Sequence, residues 1–404
     1  NMLSHIEENS IDCVITDPPY ELGFMSKSWD STGIAFNPET WKKCFKALKP
    51  GGYLLAFGGS RTFHRIACAI EDAGFELRDT IMYLYGSGFP KSLDISKAID
   101  KRNGNSVAWF GKWLREWREE NGIKQSEVSA LFPSKSGGKT GCVANNKTVY
   151  QNIGSENISG EVNITIPSSD LAKQWQGWGS QLKPAFEPII MARKPIKTTV
   201  AENVMIYGVG GINIDECRVG DEERFLTPAT PKKGTFNCSF DSNYDGKSVL
   251  GRFPANVIHD GSEEVVECMG EASRYFYTTK ASKKDRDGGL GGFKQKQTTR
   301  KNTHPTVKPC ELMQYLIRLV APKGATILDP FMGSGSTGKA VMFENRERNA
   351  DYKFIGIDLE KEYCEIAEMR IDYALNKYEY DFKQELQESK EKGQLNLFDM
   401  EENL

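Results

Sequence analysis

The stretch ILDPFMGSGSTGKA at residues 327–340 decides the fold. An apolar run ends in Asp329, a glycine-rich turn follows, and helix-forming residues take over. Gly333, Gly335 and Gly338 satisfy G-x-G-x-x-G, and Asp358 closes the next strand signal. Missing side chains let a backbone approach a ligand closely, and an acid at the next strand end can hold ribose hydroxyls. Taken alone, this pattern suits a dinucleotide oxidoreductase, another nucleoside binder, or no more than a tight turn. The Asp329-Pro330-Phe331 step is unusual for a dinucleotide fingerprint. It favours a nucleoside whose adenosine, not a pyrophosphate, sits in the turn.

Working outward, residues 303–375 alternate helix and strand: helices over 311–320, 336–344 and 361–375, strands over 325–328 and 353–357. The first hundred residues keep the same rhythm, with strands over 11–16, 53–57 and 75–85 and helices over 38–48 and 62–73. Asn37-Pro38 opens the first of these helices as cap and first-turn proline. Strands separated by helices of this length predict a parallel sheet covered on both faces. Between the two regular parts, only LKPAFEPIIMARKP (182–195) carries a strand signal. The reading is one α/β domain interrupted by insertions: a catalytic half at 1–99, an insertion at 100–175, a return strand at 176–200, a second insertion at 201–302, a cofactor half at 303–375 and a charged tail at 376–404.

The first strand runs into a second unusual stretch, DCVITDPPYELGF at 12–24. Together, DPPY after one strand and DPFMGSGSTG after another resemble the amino-methyltransferases of DNA, which use S-adenosylmethionine. HPTVKP (304–309), FIGIDLEKEYCEIAEMRI (354–371) and the 182–195 strand fit the same family, and DPPY preceding the glycine motif is similar to its beta class. The resemblance implies a Rossmann-like, circularly permuted methyltransferase sheet with inserted target-recognition segments. It implies a catalytic motif of Asp17, Pro18, Pro19 and Tyr20: Asp17 and the Pro18 carbonyl accept the hydrogens of an exocyclic amine, and Tyr20 stacks on the flipped base. It assigns Phe331, Gly333, Ser334 and Gly335, with Asp329, to the cofactor turn, Asp358 to the ribose, and Thr306 and Lys308 to the methionine end. Asp329 can equally be structural, holding the turn. Aspartate in the first motif position leans towards adenine N6, where cytosine N4 enzymes more often carry serine. An inactive cofactor-binding protein is the remaining alternative. Members usually show a Gly-Asp motif upstream of MLSHIEENSID, so a longer intact protein is expected.

Composition narrows the classes further. A net charge of −3 excludes a uniformly basic coat but permits a local basic patch. Nine cysteines without a CxxC pair read as reduced, cytosolic thiols, consistent with a bacterial or phage-encoded enzyme working on the nucleoid, and His304 and the other histidines lack metal-ligand spacing. Between Lys280 and Lys301 eight basic residues meet two acidic ones. Residues 287–301 therefore read as a mobile loop, and Lys283, Lys284, Arg286, Lys294, Lys296 and Arg300 as contacts to the phosphates of double-stranded DNA. WLREWREENGIKQSEVSALF (113–132) reads as two helices broken at Asn121-Gly122 and resembles part of a helix-turn-helix, with Lys135, Lys139 and Lys147 beyond it as further DNA contacts. In the tail, Gln394, Leu395, Leu397 and Phe398 resemble peptides that dock on the bacterial sliding clamp. A homodimer is a further expectation.

Overall fold

The computed structural model describes residues 2–23, 28–86, 88, 92–102, 116–123, 167, 169–226, 247–279, 283–288, 290, 302 and 307–376. The chain divides into two compact units, residues 1–87 with 185–404, and residues 88–184.

The larger unit is built on an eight-stranded sheet. Ten strands are described: β1 (Ile11–Thr16), β2 (Leu48–Phe57), β3 (Glu76–Leu84), β4 (Phe186–Arg193), β5 (Val219–Leu226), β6 (Lys247–Arg252), β7 (Val257–His259), β8 (Tyr277–Thr278), β9 (Thr326–Asp329) and β10 (Lys353–Gly356). The main sheet runs β10-β9-β1-β2-β4-β3-β7-β8, and β5 with β6 forms a separate hairpin. Every pairing in the main sheet is parallel except those of β4, which lies antiparallel to both β2 and β3. The sheet is parallel as expected apart from this one strand, which enters from residues 88–184 and not from a crossover helix.

A central strand covered on both faces is mostly apolar, and IDCVIT is buried at every position, its two polar residues, Asp12 and Thr16, being hydrogen-bonded. Its alternation slips at an irregularity between Ile11 and Cys13. Ile11 and Val14 consequently join the core under the helices Pro38–Ala47 and Phe63–Asp72. Cys13 and Ile15 join the opposite core with the helix Cys310–Val320, which is buried nearly all round. Asn37 caps Pro38–Ala47 as the sequence suggests, its Oδ1 accepting from the Glu39 amide at 3.0 Å.

The halves of the permuted sheet join where β1 pairs with β9, Cys13 opposite Ile327 and Val14 opposite Leu328. Side chains pin this seam at both ends. Asp12 Oδ2 accepts from the Thr326 amide at 2.7 Å and Oδ1 from Lys49 Nζ at 2.6 Å. The Thr16 hydroxyl donates to Asp329 Oδ1 at 2.6 Å.

Residues 201–302 are less irregular than the sequence suggests, since β7 and β8 extend the main sheet. Three- and two-residue strands are too short to show a period. In the smaller unit, Ser169 caps the helix Asp170–Gln174 and donates to Asp100 Oδ1 of the helix Ile95–Arg102 at 2.8 Å. Residues 116–120 are helical and the chain turns at Gly122, φ +63°, where a break is expected. Among the described residues no helix is long and apolar enough to cross a membrane.

Asp12→Ala leaves the Thr326 amide without its acceptor and Lys49 without its partner. Urea denaturation should show a loss of about 1–3 kcal/mol. An unchanged midpoint would mean that this end of the seam carries no stability.

Candidate active site

β1 delivers Asp17 to the C-terminal edge of the sheet, beside the turn that follows β9. Asp17 Oδ2 accepts from Lys308 Nζ at 2.6 Å. Its Oδ1 is buried and has no hydrogen-bond partner among the described residues. A carboxylate oxygen out of water without a donor is costly, so this atom is poised for a donor that the described residues do not supply. Two prolines follow and fix the backbone angle at each. Tyr20 is held by its own carbonyl, which accepts from Thr62 Oγ1 at 2.8 Å. Its ring lies against Gly59, where a Cβ would stand 3.2 Å from Tyr20 Cδ2. Beyond the motif, the Asp30 carboxylate takes the Glu21 and Leu22 amides at 2.9 and 3.2 Å. Glu21, at φ +55°, takes the Gly33 amide at 2.8 Å. Neither Asp30 nor Glu21 stands out in the sequence; an acid ten or so residues past a turn gives no local signal.

Lys308, expected near the methionine end, has its described polar contacts in the DPPY motif and β4. It lies on the catalytic motif: besides Asp17 it donates to the Tyr20 hydroxyl at 3.1 Å and approaches Glu187 Oε2 at 3.5 Å. The ammonium is engaged by these groups and the side chain is 8 % exposed. Burial pulls the ammonium down, but Asp17 and Glu187 outweigh it and hold Lys308 above the ordinary lysine value. Burial, then the charges of Asp17 and Glu187, push the Tyr20 phenol well up, so it stays neutral.

In the glycine turn, Gly333 and Gly335 have φ of +52° and +76°, the left-handed region that glycine tolerates. A Cβ on Gly335 would stand 2.7 Å from that of Ala367, and one on Gly338 would strike Phe354 and Ile371. Close packing between the helices Ser336–Arg348 and Lys361–Leu375 therefore accounts for those two bare positions. Asp358 Oδ2 accepts from the Gly333 amide at 2.8 Å and Oδ1 from the Glu360 amide at 2.9 Å, leaving acceptor capacity on both oxygens. Ser334 Oγ accepts from Arg370 Nη1 at 2.9 Å, and Arg370 is fully buried. Phe331 packs near Trp41, ring centroids 6.2 Å apart. Asp329 is structural: it is 2 % exposed and binds Thr16, the Thr337 hydroxyl at 2.6 Å and the Phe331 amide at 3.2 Å. Burial pushes it up to about 7 against the pull of these hydrogen bonds. Thr306 lies outside the described residues.

The basic segment is partly tied down. Residues Lys283–Asp287 are helical and Leu290 is fully buried, so the start of the expected mobile loop is packed. Asp285 accepts from Lys339 Nζ at 2.7 Å and from the Cys310 amide at 2.8 Å, capping the helix Cys310–Val320. Arg286 donates to the Asn302 carbonyl at 3.3 Å. Lys283 and Lys284 are placed by backbone alone. Lys135, Lys139, Lys147, Lys294, Lys296, Arg300 and the tail residues Gln394, Leu395, Leu397 and Phe398 lie outside the described residues. Among the described residues no group of three His, Cys, Asp or Glu side chains could hold a metal.

Gly335→Ala should lower stability by about 1–3 kcal/mol in thermal melts without ligand, through both the left-handed φ and contact with Ala367. An unchanged melt would return Gly335 to a ligand-facing role. Asp329 predicts a pH trend. With its folded value near 7 and an ordinary value of 3.8, the folded protein holds a proton that the unfolded chain has released. Stability from this group is therefore present at low pH and lost as pH rises through 7. Melting temperatures of the wild type should fall relative to Asp329→Asn between pH 5 and 8; parallel profiles would contradict the assignment.

A family model described as DNA methylase matches residues 11–369. The Type II methyltransferase M2.LlaDCHI of Lactococcus lactis subsp. cremoris is 36% identical over 106 residues, 25% of this chain and 37% of that protein. The Type II methyltransferase M.HpaI of Haemophilus parainfluenzae is 34% identical over 107 residues, 24% of this chain and 33% of its own length. The matched part of this chain thus spans about a third of these relatives. M.HindIII of Haemophilus influenzae aligns more widely, 22% identical over 343 residues, 84% of this chain and 69% of that protein. Among solved structures, the PvuII DNA methyltransferase (cytosine-N4-specific) covers 93% of this chain and 89% of its own at 14% identity and a TM-score of 0.39.

Proposed function

Because this chain belongs to the DNA methylase family, we propose that it is a site-specific DNA methyltransferase acting on the N6 amine of a flipped adenine. The observation that carries the reading is Asp17 Oδ1, a buried carboxylate oxygen with no donor among the described residues, at the strand end next to the glycine turn. S-adenosylmethionine, when bound, supplies an activated methyl group. The turn at 331–335 and Asp358 are suited to hold it, since Asp358 shapes the turn through the Gly333 amide and keeps acceptor capacity for ribose hydroxyls.

The exocyclic amine of a base is a poor nucleophile because its lone pair is delocalised into the ring. Asp17 Oδ1 accepts one of its hydrogens and the Pro18 carbonyl the other, which favours the pyramidal nitrogen that can attack. Both acceptors are fixed before the base arrives, so little reorganisation is left for the reaction itself. Tyr20, neutral and braced by Thr62, offers a stacking face worth about 1–3 kcal/mol per base. That gain offsets part of the few kcal/mol needed to take the base out of the duplex. Lys308 remains an ammonium and cannot take the surplus proton, which leaves to solvent. The aspartate in the first motif position supports adenine over cytosine N4. The lysines at 135, 139, 147, 283, 284, 294, 296 and 300, the last an arginine, are the proposed phosphate contacts, and the tail the proposed clamp peptide.

Expression in a host without adenine methylation, followed by nucleoside mass spectrometry, should reveal N6-methyladenine, and long-read sequencing its context. Asp17→Ala should lower kcat by about 10²–10³-fold while S-adenosylmethionine still binds. A mark on cytosine would overturn the adenine assignment, and a mark that persists in Asp17→Ala would overturn the role of the carboxylate.

A further inference from the structure

Glu187 stands out from no motif, yet β4 carries it to the catalytic edge of the sheet. Its Oε2 lies 3.5 Å from Lys308 Nζ. A lysine ammonium has three hydrogens and no acceptor capacity. Three oxygens surround this one: Asp17 Oδ2 at 2.6 Å, the Tyr20 hydroxyl at 3.1 Å and Glu187 Oε2 at 3.5 Å. The Phe57 ring lies 4.9 Å from Nζ, so one side of the cation is apolar. Two of its hydrogens are engaged at hydrogen-bond distance and Glu187 stands on its third side as a longer ionic contact, so one group fixes both Asp17 and Tyr20.

We propose that Lys308 and Glu187 are positioning residues: Lys308 occupies Oδ2 of Asp17 so that Oδ1 alone faces the target amine, and Glu187 holds Lys308 in place. The proposal rests on the methyl-transfer reading above and deepens it. Two carboxylates and one ammonium leave the trio with one net negative charge, beside the place where a cationic methyl donor must approach. Without Lys308, Asp17 and Glu187 would face each other as like charges, partly buried, and protonation of one becomes the way to relieve them. A protonated Asp17 can present a donor to the amine where an acceptor is needed. Without Glu187, the ammonium keeps Asp17 and the Tyr20 hydroxyl but loses its third partner, a milder defect.

This ordering predicts a pH signature that simple loss of fold would not give. Among the described residues, the titratable and charged groups around Asp17 and its partners are Lys308 ahead of the helix Cys310–Val320, Glu187 on β4, Tyr20 in its own loop, Tyr83 on β3, Tyr85 after it and Asp329 at the end of β9. Asp329 feels the charge of Asp17, so Asp329→Asn in wild-type and variant backgrounds separates its titration from that of Asp17.

The test uses the full chain, with DNA and S-adenosylmethionine as substrates. Lys308→Met should lower kcat by about 10²-fold, leave the affinity for S-adenosylmethionine within about threefold by calorimetry, and move the acid limb of the kcat–pH profile upward. Each magnitude is set by the loss of one preorganised charge contact. Glu187→Gln should lower kcat by about three- to tenfold, and the double variant should match Lys308→Met alone, as expected for residues acting as a unit. Loss of S-adenosylmethionine affinity with kcat preserved at saturation would overturn the proposal and place Lys308 on the cofactor. An unmoved acid limb in Lys308→Met would overturn it as well. If Lys308→Met does not fold, Glu187→Gln decides: a kcat lowered about three- to tenfold with S-adenosylmethionine affinity kept supports the proposal, and an unchanged kcat contradicts it. A wild type that methylates no DNA base would instead remove the methyl-transfer reading on which all of this rests.

Discussion

The structure depends on the parallel pairing of β1 with β9. These strands lie more than three hundred residues apart, and their pairing brings the ends of two sequence motifs side by side. Parallel pairing matters because both strands then point their C-terminal ends at one edge of the sheet, where open α/β folds bind ligands. An antiparallel seam would have sent DPPY and the glycine turn to opposite edges. Thr16 and Asp329, the last residues of the two strands, lock that alignment with a 2.6 Å hydrogen bond.

From the seam, order propagates through buried charge. Asp329 binds Thr337 and the Phe331 amide, so one carboxylate holds β1, the turn and the start of the next helix. Asp358 braces the turn from β10, and Arg370 braces it from the helix Lys361–Leu375. On the other side, Lys308 ties Asp17 and Tyr20 to the segment ahead of Cys310–Val320. Each buried charge would be costly alone; each is met by an opposite charge or by hydrogen bonds. The consequence for chemistry is that Asp17 Oδ1 is the one buried carboxylate oxygen left without a donor among the described residues.

How much of this could be read from the sequence follows from the range of each interaction. β1, β9 and the helix Lys361–Leu375 are legible because burial on two faces or one imposes a local pattern of apolar residues. DPPY and the glycine turn are legible as unusual local chemistry. The partners of Lys308 are not, because the residues that claim its ammonium sit as far as 291 positions away. Asp329 was readable as either a cofactor contact or a strut, and only its three bonds decide for the strut. Arg286 and Asp285 look alike as members of a charged run, yet one turns to Asn302 and the other caps a helix. The reversed strand β4 was visible as a strand, but its direction depends on where the chain goes through residues 88–184.

The central claim is that Asp17 reaches the base with one oxygen while Lys308 retains the other. A crystal structure of the full chain with cognate duplex DNA and an unreactive S-adenosylmethionine analogue measures this directly. The account predicts a flipped base whose exocyclic nitrogen lies about 2.7–3.2 Å from Asp17 Oδ1, with Lys308 still bonded to Oδ2 and Tyr20 stacked on the ring. An amine beyond hydrogen-bond reach of Asp17, or a Lys308 that has left Oδ2 for the cofactor, would contradict it.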